Sequence, residues 1–150
     1  MAGTRSNTSA DAKGGFTEAE KAAMQERSRE LKAARRKGAD ADGEADLLSK
    51  VAEMPQADRV IAERIHAIVR EVAPILKPRT WYGMPAWALD GKVVCFFKSA
   101  DKFKSRYATL GFEEQARIDE GTMWPTSFGI TKLTPADERR IAELVKRAVG

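Results

Sequence analysis

Cysteine occurs once in the 150 residues, as Cys95, and histidine once, as His66. One cysteine excludes an internal disulfide, and one of each leaves a zinc site short of ligands unless carboxylates complete it. No stretch approaches the roughly 18 consecutive apolar residues that a spanning helix needs. Residues 1–15 carry Arg5 and Lys13 but no apolar core, so they do not read as a secretory signal. Phosphate-cradling glycine loops, dinucleotide fingerprints and nucleophile elbows are missing. Ser127 would have to recruit His66 from far along the chain to build a Ser–His–Asp arrangement, so no catalytic residue is assigned. A strong excess of one charge sign is also missing. The net charge of +4 is no electrostatic footprint for nucleic acid.

What is present describes a globular protein. Hydrophobic content of 43% against 32% charged residues is enough to bury a core in a chain of this length. Together with the lone cysteine it makes a cytoplasmic location the expectation. Residues 1–15 are small and polar and predict a disordered tail. Thr17-Glu18-Ala19-Glu20 is a capping box opening a helix to about Lys37, with a thin apolar stripe of Met24, Leu31 and alanines. A linker follows, so residues 16–45 form a helix plus linker and residues 46–150 the main domain.

In that domain Leu47, Leu48 and Val51 mark a short helix, and Ile61, Ile65, Ile68 and Val72 mark a longer one ended by Pro74 and Pro78. Asp90-Gly91 between the apolar runs 85–89 and 92–98 signals a hairpin. Val93, Cys95 and Phe97 alternate with Val94 and Phe96, which predicts a central strand covered on both faces. Further strands are expected over 105–110 and 128–133, with a short helix over 112–120 between them. Thr134-Pro135 then starts a closing helix striped by Ile141, Leu144, Val145 and Ala148. The sum is an α+β fold with about four antiparallel strands flanked by N-terminal and C-terminal helices.

The aromatic residues concentrate in two Gly/Pro-marked stretches. Thr80-Trp81-Tyr82-Gly83-Met84-Pro85-Ala86-Trp87 is one, and Gly121-Thr122-Met123-Trp124-Pro125-Thr126-Ser127-Phe128 is the other. Trp81, Tyr82, Trp87 and Trp124 suit either the walls of one cleft or one packed core. Residues 80–111 hold Lys92, Lys98, Lys102, Lys104 and Arg106 against only Asp90 and Asp101. Those cations either rim a sheet or attract an anion, with Arg106 suited to bidentate contact. A small anionic aromatic ligand, held by Trp81, Tyr82, Trp87, Trp124, Lys98 and Arg106, is therefore the binding hypothesis. His66 reads as a core-edge residue with one hydrogen bond, and Cys95 as a buried inert thiol.

The runs Tyr82-Gly83-Met84-Pro85-Ala86-Trp87, Gly91-Lys92-Val93-Val94-Cys95-Phe96-Phe97, Tyr107-Ala108-Thr109-Leu110-Gly111-Phe112 and Met123-Trp124-Pro125-Thr126-Ser127-Phe128 carry a resemblance. Over about residues 46–150 the chain resembles the YdhG-like family, a bacterial domain of unknown function. The resemblance implies a small-ligand-binding module, and one branch of the family is described as a frataxin-like iron chaperone. It supplies no catalytic residues. The densest acidic group for any such metal is Glu113, Glu114, Asp119 and Glu120. Two other classes stay open: an enzyme with unidentified acid–base residues, and a protein-interaction module using the N-terminal helix.

Overall fold

The computed structural model describes residues 15–37 and 42–150. The expected tail over 1–14 and the linker residues 38–41 lie outside the described residues. The chain is α+β: helices α1 (Glu18–Lys37), α2 (Glu44–Ala52) and α3 (Gln56–Val72) precede strands β1 (Lys77–Trp81), β2 (Met84–Leu89), β3 (Lys92–Lys98), β4 (Ala108–Phe112) and β5 (Ser127–Ile130). Helix α4 (Pro135–Ala148) closes it. The sheet runs β1-β2-β3-β4-β5, with every neighbouring pair antiparallel.

Local chemistry accounts for the element boundaries. Glu20 N–H donates to Thr17 Oγ1 at 3.0 Å and Thr17 N–H to Glu20 Oε1 at 2.9 Å, the expected capping box of α1. Thr134 and Asp137 repeat the reciprocal pattern at the start of α4. Asp90 and Gly91 both have positive φ, 52° and 79°, as a tight β2–β3 hairpin requires.

Two expectations are corrected. The sheet has five strands where about four were expected, because the segment containing Pro78 is an edge strand and not only a helix stop. An edge strand tolerates proline because one side of its backbone needs no ladder partner. The helix expected over 112–120 does not form. Its backbone is taken elsewhere: Phe112 pairs with Cys95, Glu113 N–H donates to the Val94 carbonyl, and Arg117 N–H to the Ala148 carbonyl. Ala116 and Ile118 are buried in that path, which turns once where Ala116 N–H donates to the Glu113 carbonyl.

Register assigns the two faces of the sheet. Pro78, Trp87, Cys95 and Phe112 stand opposite one another across β1 to β4 on the core face. Phe97, Leu110 and Phe128 form the next row. Leu47 and Val51 of α2, Ile61, Ile65 and Val69 of α3, and Ile141 and Val145 of α4 join these residues in one buried cluster. The other face carries Arg79, Ala86, Phe96, Gly111 and Ser127 in one row, and Lys98, Thr109 and Gly129 in the next. Phe96, Lys98 and Thr109 there are half-buried, whereas Val94, at a bulge in the β2–β3 register, is buried and Val93 half-buried, so the expected double cover of β3 holds only in part.

Candidate functional site

The open face of the sheet is shaped by small residues under flat rings. A Cβ added at Gly111 would run into the Phe96 ring, so Phe96 lies down across β4. At Gly129 an added Cβ would lie 2.9 Å from the Tyr107 ring, which therefore covers β5 in the same way. Trp81, at the β1 edge, meets Phe96 with ring centroids 5.3 Å apart and Tyr82 edge-on at 5.1 Å. The result is an aromatic surface from Tyr82 through Trp81 and Phe96 toward Tyr107. None of these four residues belongs to the core cluster.

Cations stand around this surface. Arg106 is exposed and its guanidinium carbon lies 5.1 Å from the Tyr107 ring centroid. Lys98 Nζ lies 5.1 Å from the Phe103 ring, and the Arg27 guanidinium 5.6 Å from the Tyr82 ring. Arg79 sits in the same cross-strand row as Phe96. Burial, and then the nearby Arg27 charge, pull its pKa below the ordinary arginine value, against the opposing effect of Glu30. A cation stacked on a ring keeps its N–H edge for an anion, and a guanidinium can hold a carboxylate through two parallel bonds.

The expected cleft between the 80–87 and 121–128 segments is not formed. β1 and β2 lie at one edge of the sheet and β5 at the other, so strand order separates the two stretches. Trp81 is on the open face, whereas Trp87 is fully buried on the core face. Trp124 precedes β5 and lines a separate cavity of about 230 Å³ with Pro125, Phe128, Arg140 and Arg147. Of the six predicted residues, Trp81 and Tyr82 touch. Lys98 and Arg106 belong to the same open side, and Trp87 and Trp124 do not. The sequence does not single out Phe96 or Arg79, and it shows Tyr107 only as one of the aromatics interleaved with the cations. Gly111 and Gly129 were the available signal, since glycine inside a strand marks a close approach of another group.

Trp87 has a different role. Its indole N–H donates to His66 Nδ1 at 3.1 Å, and His66 Nε2 lies 2.7 Å from Glu44 Oε2. An indole N–H can only donate, so Nδ1 accepts and Nε2 carries the hydrogen shared with Glu44. The chain Trp87–His66–Glu44, extended by Arg70 at 3.4 Å from Glu44, ties β2 to α3 and α2. The hydrogen bond from His66, ahead of the Arg70 charge and against a smaller desolvation effect, holds the Glu44 carboxyl below its usual range. Cys95 is buried and desolvation pushes its pKa up to about 12, which leaves no thiolate nucleophile.

Among the described residues no three His, Cys, Asp or Glu side chains form a group able to hold a metal ion. Glu113, Glu114, Asp119 and Glu120 therefore do not converge into a metal centre. No helix among the described residues is long and apolar enough to cross a membrane. No family model, curated protein or solved structure matches this chain.

Proposed function

We propose that this chain is a small-ligand-binding module, of the YdhG-like kind by resemblance, whose binding surface is the open face of its sheet. The observation that carries the reading is the cross-strand row Arg79–Ala86–Phe96–Gly111–Ser127, flanked by Trp81 and Tyr107. Small residues let one ring lie flat on the strands, and a flat apolar floor suits stacking of another flat ring. Arg79, Lys98 and Arg106 favour a negative group on that ring. The ligand class is a planar aromatic acid, and the reading gives the chain no catalytic role. A cytoplasmic location belongs to the same proposal, supported by the single reduced, buried cysteine.

Calorimetric titration with naphthoate, naphthamide and naphthylmethylammonium tests it. Naphthoate should bind tightest, and its affinity should fall with salt because exposed charges are screened over about 8 Å at physiological ionic strength. Phe96→Ala should weaken all aromatic binding, and Arg106→Ala only the naphthoate preference. Tightest binding of the cationic compound, or no effect of either substitution, would overturn the reading.

A further inference from the structure

Tyr82 and Gly83 form the β1–β2 turn with positive φ at both positions, 54° and 77°. This turns their two N–H groups outward, and one carboxylate takes both. Tyr82 N–H donates to Glu30 Oε1 at 2.9 Å and Gly83 N–H to Glu30 Oε2 at 2.8 Å. Successive backbone N–H groups that converge on one anion form a nest, a recurrent carboxylate-binding device. Two lysines stand beside it. Lys102 Nζ lies 2.9 Å from Glu26 Oε1 and 3.4 Å from the Gly83 carbonyl, and Lys50 Nζ lies 2.6 Å from Glu26 Oε2. Both carboxylates come from α1, four residues apart on one helix face.

That helix has little else to hold it. Ala23 is its one buried hydrophobic residue among those described, while Met24 and Leu31 are 46% and 43% exposed. Its hold on the domain is thus largely a pair of anions in a cationic, hydrogen-bond-donating socket. Glu26 also lines two cavities at once. One, of about 330 Å³, reaches Lys50, Arg79 and Thr80, and the other, of about 300 Å³, reaches Met84, Pro85, Phe97 and Phe103. Withdrawing α1 would remove the wall between them and leave one groove. One end would carry Lys50 and Arg79 together with Asp42, Asp46 and Glu53, the other would be largely apolar, and the Tyr82–Gly83 nest would lie between.

We propose that the Tyr82–Gly83 nest with Lys50 and Lys102 is a binding site for small dicarboxylates, which Glu30 and Glu26 of α1 occupy as an internal competitor. The dicarboxylate class follows from the occupant. One carboxylate sits on the amide pair and the other on the lysine pair, and side chains at i and i+4 start about 6 Å apart. A five-carbon diacid spans that interval. Binding displaces α1, so the helix is a lid whose closing contacts copy the ligand. Arg79 and Tyr82 border both sites, but Phe96 and Arg106 belong to the open face alone and Lys50 and Lys102 to the nest alone, so substitutions at those residues let the two proposals fail separately.

The test is calorimetry with glutarate, butyrate and inorganic phosphate on the full chain and on an E26A/E30A variant. Alanine keeps the helical preference of α1 and removes both competing carboxylates, together with the Arg27–Glu30 pair within the helix. Closure by a competitor lowers apparent affinity by the fraction of open molecules, so glutarate should bind the variant on the order of tenfold tighter than the parent. Adding K50M and K102M should erase that gain. Butyrate and phosphate should bind at least several-fold more weakly than glutarate. A second measurement needs no variant: glutarate should speed tryptic cleavage at Lys21, Arg27 and Arg29 of the parent, and butyrate at matched ionic strength should not. An unchanged cleavage rate, no gain in a folded E26A/E30A protein, a gain that survives loss of both lysines, or phosphate binding as tight as glutarate would each overturn the proposal.

Discussion

An indole offers one donor and no acceptor, so the full burial of Trp87 needs a partner atom that accepts. His66 Nδ1 supplies it, and Glu44 in turn fixes the other ring nitrogen. Trp87→Ala should therefore cost at least about 3 kcal/mol, for the cavity left among Ile65, Val69 and their neighbours. Trp87→Phe separates shape from polarity. It keeps most of the volume but leaves His66 Nδ1 without its donor, for about 1–3 kcal/mol. Urea unfolding of both variants checks the pair, and a Phe variant as stable as the parent would show that the hydrogen bond contributes nothing. Cys95 permits a second check at this scale. With its thiol pKa pushed to about 12, labelling by an aromatic disulfide should proceed only at the rate of opening. Fast labelling of the folded protein would contradict the burial. The character of both residues was legible locally: Cys95 lies between Val94 and Phe96, and His66 on an apolar helix face. Their partners were not legible, because Glu44 and Trp87 stand 22 and 21 positions from His66 and reach it only through tertiary packing.

Helix α1 and strand β1 show where element-level reading holds and where it gives way. The capping box of α1 and the proline start of α4 depend on neighbours in sequence, and both form where expected. β1 and the 112–118 segment depend on partners supplied from elsewhere, and tertiary pairing overrides local preference at both. Attachment of α1 to the rest is electrostatic, which gives it a pH dependence of known sign. Burial would raise the Glu26 pKa, but hydrogen bonds from Lys50 and Lys102 outweigh it and hold the carboxyl below its usual range. Arg29, Asp46, Glu53 and Asp101 line the cavities beside this group, with Glu53 3.9 Å from Lys50. A carboxylate with a depressed folded-state pKa stabilises fully above its unfolded value and loses that contribution as pH falls through the folded one. Acidification from pH 7 should thus loosen α1 in the range below about 4.5, the ordinary glutamate range. Hydrogen exchange at the Tyr82 and Gly83 amides reads this directly. Their protection should fall in acid before that of β3, and simultaneous loss would show α1 and the sheet to be one cooperative unit.

At the scale of the molecule, strand order decides which aromatic residues meet. The sheet is a meander, of which the sequence showed the Asp90-Gly91 hairpin and the antiparallel pairing, and a meander puts its first and last strands at opposite edges. β2 and β5 are three strand spacings apart, about 14 Å. Trp124, beside β5, is carried away from Trp87 on β2 and one spacing farther from Trp81 on β1, while the pleat sends Trp81 and Trp87 to opposite faces. The unusual composition of both segments was visible in the chain; the facing of each ring was not, since it needs a register that a one-residue shift would invert. Trp87 is sealed under the helices and Trp81 is half-exposed on the open face, so the three tryptophans report on three different environments. A protein keeping only Trp87, through Trp81→Phe and Trp124→Phe, should emit at short wavelength and resist acrylamide quenching until it unfolds. A protein keeping only Trp81 should be quenched in the native state, and naphthoate should protect it if the open face is the binding surface. The two-faced arrangement would be wrong if both single-tryptophan proteins were quenched alike. Should Trp81 prove accessible but unprotected by any of the aromatic compounds, the architecture would stand and the open-face binding proposal would fall.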